Sequence, residues 1–209
     1  AFENANLFET VEKRASELEI LLQVSLQLTA SLDPQAVLDA ILDGVFELLP
    51  GTRTAHIFTY DGEFLSFGSA LMDNGRRGTA FSKPRPDGLT YKVARSGEMI
   101  VVPDMSIHPI YDDVPEEIDW IGSIIGLPLK ISDRVVGVMN VSFHDPRSFS
   151  ETELRILRLL GDQAAFGIEN ANLFNQTNVE RRFVALLYDI GRVLSQSLDP
   201  KKILGQAIR

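Results

Sequence analysis

The sequence predicts an α+β domain built on a central antiparallel sheet. Two pairs of strand-like segments predict the sheet, because each pair is joined by a short turn, at Asp61-Gly62 and at Ser132-Asp133. Segments with apolar residues at helical spacing precede the first pair and follow the second. Short turns pair neighbouring strands antiparallel, so the sheet that they form is antiparallel.

Two helices are predicted before the sheet. Residues 3–30 contain neither Pro nor Gly and carry apolar residues at helical spacing along two interrupted heptad seams, which favours a long helix paired with a second copy. Asp33-Pro34 then provides a capping side chain followed by proline at the first helical position of a second helix. Pro50-Gly51 ends that helix.

The sheet segments follow in order. Strands are predicted over 54–60 and 63–71, joined by a two-residue turn in which Gly62 takes the positive φ. A short helix over 87–96 closed by Gly97, a short strand over 99–102 and an irregular segment over 103–120 come next. Strands over 122–131 and 134–143 form the second hairpin.

The last element is a long helix. Ser150 and Glu153 have capping-box spacing, and an apolar face with small residues beside it follows, including Gly161, Ala164 and Ala165. These small residues allow close approach to a sheet or to a partner helix. Without a proline before Pro200, the helix is predicted to run to about residue 195, roughly 70 Å.

Composition excludes several classes of function. A net charge of −9 and a pI near 4.8 disfavour nucleic acid and direct contact with an anionic membrane. The absence of cysteine removes disulfides, thiolate nucleophiles and cysteine-ligated metal centres. No apolar run reaches the roughly 18 residues of a membrane span, and the N-terminus does not resemble a signal peptide, so we expect a cytoplasmic protein.

An internal repeat indicates tandem domains. ENANLF occurs at residues 3–8 and 169–174, and SLDP at 31–34 and 197–200, with one offset, since 169 − 3 = 166 and 197 − 31 = 166. A period of this size is that of a domain. We therefore expect a linker helix over 1–30, a domain core over 31–165, and a linker helix with the start of a second repeat over 166–209.

Three stretches of sequence resemble bacterial GAF domains. They cover residues 87–104, 125–143 and 149–174, which read DGLTYKVARSGEMIVVPD, IGLPLKISDRVVGVMNVSF and FSETELRILRLLGDQAAFGIENANLF. The resemblance implies a GAF/PAS-like sheet with the first and last helices packed on one face and a ligand pocket on the other. It also implies a tandem-GAF signal-transduction protein, such as the sensor histidine kinase of a two-component system, with neighbouring GAF and output domains in the same chain.

The sequence gives little support for the specialised functions known in that family. GAF-type bilin photoreceptors and methionine sulfoxide reductases depend on cysteine, which this sequence lacks. The cyclic-nucleotide pattern is matched only in part, because Val141 follows Asn140 where the pattern has Lys, and Glu153-Leu154 stands where it has Asp-Glu. His56, His108 and His144 are isolated, so no metal site is predicted and any cofactor remains unknown. No nucleophile motif or phosphate-binding loop is present, which favours a non-enzymatic domain.

The segment over 103–120 is the candidate lid of a ligand pocket, because it is long, contains prolines and mixes aromatic with acidic residues. The candidate ligand-binding residues are Phe67, Tyr91, Asp104, His108, Tyr111, Trp120 and Asn140. The alternative is that the aromatic residues fill a second core and no ligand binds.

Two functions follow from these observations. In the first, a small molecule binds under the lid and the signal passes through the flanking helices to an output domain. In the second, the domain binds no ligand and serves as a dimerisation and relay scaffold. The helices that flank the core would form a homodimer through Leu18, Leu21, Leu28 and Ile168.

Overall fold

The computed structural model describes residues 33–78, 83–112 and 120–197. The helix predicted over 3–30, with Leu18, Leu21 and Leu28, lies outside the described residues, as does the second SLDP beyond its first serine. The chain divides into two compact units after Asn170. The division of the sequence into linker, core and second repeat remains a prediction.

Five strands and three helices make up the regular structure of the described residues. The helices are α1 (Pro34–Leu48), α2 (Leu89–Ser96) and α3 (Glu151–Ser197), which begins in the first unit and ends in the second. The strands are β1 (Thr52–Tyr60), β2 (Leu65–Met72), β3 (Ile100–Val102), β4 (Ser123–Ile131) and β5 (Arg134–Phe143). A 3₁₀ turn spans Pro109–Tyr111.

The strands form one sheet in the order β2-β1-β5-β4-β3, with every neighbouring pair antiparallel. The two hairpins therefore meet through β1 and β5, strands that are far apart in sequence. This confirms the predicted α+β class with a central antiparallel sheet.

Side chains on opposite faces of the strands pack into two separate hydrophobic cores. On β5, Met139, Val141 and Phe143 pack with α1 and with the first half of α3 in the main core. Val138 lies on the other face, in a smaller cluster with α2. Because successive side chains of a strand point to opposite faces, one strand contributes to both cores. The first and last helices thus share one face, as the family resemblance implied.

Small residues let the helices approach the sheet closely. A Cβ at Gly161 of α3 would meet the Leu127 side chain, and one at Gly126 of β4 would meet Val93 and Leu89 of α2. Ala164 and Ala165 are completely buried. The role predicted for Gly161 and the two alanines is confirmed.

Both predicted helix starts are confirmed by their caps. Asp33 Oδ1 accepts the Gln35 N–H at 3.0 Å, with Pro34 at the first helical position. Glu153 Oε2 accepts the Ser150 N–H at 2.8 Å, and Ser150 Oγ accepts the Glu153 N–H at 3.3 Å. These reciprocal bonds constitute a capping box.

The first hairpin differs from the prediction. Tyr60 pairs with Leu65, so the loop has the four residues 61–64 rather than two. Asp61 Oδ1 accepts the N–H groups of Glu63 and Phe64, at 2.9 and 2.7 Å, and Gly62 has φ +106°. The Asp side chain stabilises a longer turn by bonding to backbone two and three residues ahead. The second hairpin has the predicted two-residue turn, with Ile131 paired to Arg134.

In the second unit, residues 171–197 are helical. The large apolar side chains described there are exposed: Leu173, Phe174, Phe183, Val184, Leu186, Leu187, Tyr188 and Ile190. Among the described residues, no helix is long and apolar enough to cross a membrane.

Candidate functional site

A cavity of about 90 Å³ lies on the face of the sheet that carries α2. Its sheet side is formed by Arg53, Thr54, His56, Phe58, Ile124, Asn140 and Ser142. Its walls are formed by the segment that leads into α2, with Lys83, Pro84, Arg85, Gly88, Leu89 and Thr90, and by Met105, Tyr111 and Trp120. From the segment over 103–120, the described residues Met105, Tyr111 and Trp120 line the cavity.

The pairing of β1 with β5 assembles the polar part of the cavity. His56 pairs with Asn140 and Thr54 with Ser142, so four polar side chains share one patch of sheet. The Thr54 and Ser142 hydroxyl oxygens are 2.7 Å apart, at hydrogen-bond distance. The patch is mixed in character, because Phe58 and Ile124 line the cavity beside it.

Asn140 offers an acceptor to this cavity. The residue is only 6% exposed, and its Nδ2 donates to Thr90 Oγ1 at 2.8 Å. Its Oδ1 is buried and has no hydrogen-bond partner among the described residues. A buried amide oxygen without a partner is costly, so a donor on a bound molecule would lower the free energy of this site.

A β-bulge brings Arg53 to the cavity. Thr52 pairs with Phe143 and Thr54 with Ser142, which leaves Arg53 as the extra residue of β1. Strict alternation would direct neighbouring residues to opposite faces, yet Arg53 and Thr54 both line the cavity. Bulges of this kind redirect side chains near functional sites.

Arg85 connects the two walls of the cavity. One of its guanidinium nitrogens donates to the Ile110 carbonyl at 2.8 Å, which ties the segment before α2 to the 3₁₀ turn. The rings of Tyr111 and Trp120 pack with their centroids 5.0 Å apart. Burial raises the pKa of Tyr111 to about 12, although the charge of Arg85 opposes this shift. The phenol therefore stays protonated at neutral pH and can donate a hydrogen bond.

His56 is neutral in the folded protein at pH 7. It is 8% exposed, and burial lowers its pKa to about 4. The other two histidines lie elsewhere: His108 Nδ1 accepts the Ile110 N–H at 3.3 Å, and His144 pairs with Asp73 at 2.7 Å. Within the described ranges, no group of three His, Cys, Asp or Glu side chains has an arrangement that could hold a metal ion.

Of the seven predicted ligand-binding residues, the structure brings Tyr111, Trp120 and Asn140 together around the cavity. Phe67, Tyr91, Asp104 and His108 do not line it.

The four residues outside the lining have other contacts. Phe67 is 44% exposed and packs edge-on against Phe58. The Tyr91 hydroxyl accepts the Leu65 N–H at 3.4 Å. Asp104 Oδ1 accepts both the N–H and the hydroxyl of Ser106, at 2.9 and 2.6 Å. The ligand-binding role of the predicted set as a whole remains a prediction.

Several residues of the cavity were not predicted from the sequence. Period-two alternation from Asn140 would have found Ser142, and alternation on β1 groups Thr54, His56 and Phe58. That the two sets face one another depends on the pairing of distant strands, for which the sequence carries no local signal. The bulge at Arg53 has no local signal either.

The structure also shows where Ile168 lies, a residue that was predicted to take part in a dimer or relay contact. It is 3% exposed and belongs to the main core. Its side chain therefore packs within its own domain, and a contact between copies needs other residues.

The fold is that of a small α+β domain, with α1 and the first half of α3 on one face of the sheet and the cavity with α2 on the other. A family model of the GAF domain matches residues 31–169, and the chain belongs to this family.

Among curated proteins, the chain is similar to the anaerobic nitric oxide reductase transcription regulators NorR of Vibrio vulnificus and Aeromonas hydrophila. The Vibrio protein is 27% identical over 184 residues, covering 85% of this chain and 35% of its own length. The Aeromonas protein is 26% identical over 162 residues, covering 75% and 31%. The chain thus spans about a third of the length of these relatives.

Solved structures show the same fold. The GAF domain of a phosphoenolpyruvate-protein phosphotransferase from Coxiella burnetii aligns with TM-score 0.63 and 20% identity, over 77% of this chain and 96% of that one. Free methionine-R-sulfoxide reductase from Neisseria meningitidis, in complex with its substrate, aligns with TM-score 0.61 and 20% identity, over 76% and 92%.

Proposed function

We propose that this chain is the sensory domain of a signalling protein and that it binds a small molecule in the cavity between the sheet and α2. The observation that carries the proposal is the buried Asn140 Oδ1, which has no partner among the described residues and lies in the cavity lining. A cavity that combines apolar surface with converging polar groups is typical of a small-molecule site.

The sheet provides a route from this cavity to the helices. Asn140 lies on the cavity face of β5, while its neighbours Met139 and Val141 are completely buried in the core with α1 and α3. A ligand that prefers one packing of β5 thereby shifts the packing of α3, because it binds the two states with different affinity. In this proposal, α3 passes the change on to the homodimer and to the output domain.

The relatives favour a transcription regulator over a histidine kinase as the parent protein, because the curated proteins similar to most of this chain are named as transcription regulators. We propose that the domain binds its ligand without converting it. Free methionine-R-sulfoxide reductase has the same fold, but its class depends on cysteine redox chemistry and this sequence contains no cysteine.

Ligand binding is tested on the purified 209-residue chain by native mass spectrometry and by thermal shift against a metabolite panel. We expect a carried molecule or a ligand-dependent rise in Tm, because binding to the native state alone stabilises it. If the protein carries nothing and no compound raises its Tm, the proposal is wrong.

The matched variant is the double substitution Asn140→Leu with Thr90→Val. It removes both members of a buried hydrogen bond, which costs less stability than removing one. We expect it to remain folded and to lose the ligand-dependent rise in Tm. A control, Asn74→Leu in the exposed turn after β2, should keep that rise.

A second candidate function is dimerisation through the terminal helices. It is supported by the exposed apolar side chains of residues 173–190, which include Phe183, Leu187 and Ile190 at helical spacing. This candidate is compatible with ligand binding, because the exposed stripe lies outside the cavity lining.

A further inference from the structure

The charge of the cavity specifies the kind of ligand. Three of its lining residues, Arg53, Lys83 and Arg85, carry positive side chains, and the described part of the lining contains no Asp or Glu. The chain as a whole has a net charge of −9, so the described part of this lining differs in charge from the protein as a whole. A cationic site on an acidic protein attracts anions selectively.

The start of α2 adds to this positive character. Gly88, Leu89 and Thr90 line the cavity, and Gly88 is the N-cap of α2. Because glycine has no side chain, it gives the helix no side-chain cap, and the first turn contains no acidic residue. Unsatisfied N–H groups and the helix dipole make such an N-terminus a binding site for negatively charged oxygens.

Arg85 lies against this helix start. A Cβ at Gly88 would come within 3.3 Å of the Arg85 Cβ, so the glycine makes room for the arginine side chain. The bond from Arg85 to the Ile110 carbonyl uses one guanidinium nitrogen. A guanidinium has five N–H donors in a fixed fork, which leaves further donors for an oxyanion.

Asn140 lies beside the first turn of α2, because its Nδ2 donates to Thr90 Oγ1 at 2.8 Å. Asn140 is 94% buried, as its exposure is 6%, and its Oδ1 accepts no bond from any described residue. This oxygen needs a hydrogen-bond donor and repels an anion. Phe58, Leu89 and Ile124 give the lining apolar surface as well.

We infer that the cavity binds a small organic anion. Its carboxylate or phosphate lies at the start of α2 beside Arg85, its apolar body lies on Phe58 and Ile124, and a hydroxyl or N–H donor bonds to Asn140 Oδ1. This inference rests on the proposed ligand-binding function and goes further by naming the chemical class.

The test is a thermal-shift panel of small carboxylates and phosphate monoesters, each paired with its neutral counterpart. Examples are benzoate with benzamide, 4-hydroxybenzoate with 4-hydroxybenzamide, and phenyl phosphate with phenol, all at one ionic strength. We expect the anionic member of a pair to raise Tm more. The carboxylate and phosphate arms distinguish the two sources of the oxyanion.

For the best anion, isothermal titration compares the wild type with Arg85→Gln, Arg85→Lys and the control Arg76→Gln, which changes an exposed arginine in the turn after β2. Kd should rise about tenfold or more in Arg85→Gln, because a charged hydrogen bond is lost. Arg85→Lys should restore part of the affinity, and Arg76→Gln should leave Kd unchanged.

The outcomes separate the two proposals. If neutral compounds bind as well as their anions, or if Arg85→Gln and Arg76→Gln behave alike, the anion inference is wrong while the ligand-binding function survives. If neither the panel nor the metabolite screen yields any binding, both are wrong.

Discussion

At the scale of single residues, the burial of His56 makes the free energy of unfolding depend on pH. The ring is buried beside the cavity, and burial holds its pKa at about 4, below its ordinary value of 6.5. The unfolded chain therefore takes up a proton between pH 6.5 and 4 that the folded chain does not. Stability contributed by the neutral ring is complete above pH 6.5 and is lost as the pH falls through this window.

We predict that the free energy of unfolding falls by about 2 kcal/mol from this residue between pH 7 and pH 5. Urea unfolding at the two pH values measures the change. The variant His56→Gln should lose most of this pH dependence because it has no titratable ring. The control His144→Gln keeps His56 and should keep the dependence.

Two acidic groups bear on the same measurement. Partial burial raises the pKa of Asp162, so acid favours the folded state at that residue and opposes the effect of His56. Burial also acts to raise the pKa of Glu153, but hydrogen bonds from Ser150 and the charge of Arg147 outweigh it, and the pKa is lowered. Its contribution is lost only below its ordinary pKa of 4.5, outside the range from pH 7 to 5. An equal pH dependence in the wild type and His56→Gln would contradict the assignment.

At the scale of elements, α3 is fixed to the sheet by its first turn. Glu153 bonds to the Ser150 N–H and pairs with Arg147, whose guanidinium lies 4.8 Å from the Phe143 ring centroid and 5.1 Å from that of Phe149. The end of β5 and the start of α3 are thereby held together. This junction lies on the proposed route from the cavity to the helix.

We predict that Ser150→Ala lowers the free energy of unfolding by about 1 kcal/mol, because it removes the side chain that caps the first turn of α3. Urea unfolding at pH 7 measures the loss. The control is Ser148→Ala, two residues earlier and exposed, which should change stability by less than about 0.5 kcal/mol. Equal losses in the two variants would show that the capping box contributes nothing specific.

At the scale of the whole molecule, the second unit has an unburied apolar stripe. Phe183, Leu187 and Ile190 are 58%, 52% and 46% exposed and follow one another at intervals of four and three residues. This is the spacing of a coiled-coil seam. A second copy of the same helix is the partner that such a seam fits.

We predict that the chain forms a dimer that weakens on dilution, and that Leu187→Asp raises its dissociation constant at least about tenfold by placing a charge in the seam. Sedimentation across a concentration series measures it. Ala185→Asp adds the same charge, and at 100° per residue it lies on the opposite side of the helix, so it should leave the dimer intact. A wild-type monomer at every concentration would rule out this dimer for the chain.

The internal repeat falls at a position of α3 that matters for the proposed relay of a signal. ENANLF recurs at residues 169–174, where the structure passes from the first compact unit to the second within α3. In the repeat register, the helix that leaves one domain is equivalent to the helix that enters the next. A signal from the cavity would reach α3 through β5, which packs against its first half.

The local elements could be predicted from the sequence alone. The caps at Asp33 and Ser150, the turn at Ser132-Asp133 and the alternation along β5 were readable because each depends on residues a few positions apart. In the first hairpin only the predicted loop length was wrong, because Asp-Gly also supports a longer turn closed by the Asp61 side chain. The family resemblance added the arrangement of the helices on the sheet.

The cavity, in contrast, depends on the tertiary structure. Asn140, Tyr111 and Trp120 were predicted, but their partners His56, Thr90 and Arg85 reach them through contacts between distant segments. The pairing of β1 with β5, the bulge that redirects Arg53 and the packing of α2 over Gly126 are set by the global balance of burial and pairing. A local pattern records which residues are near one another along the chain, whereas a cavity is made by the surfaces that folding brings together.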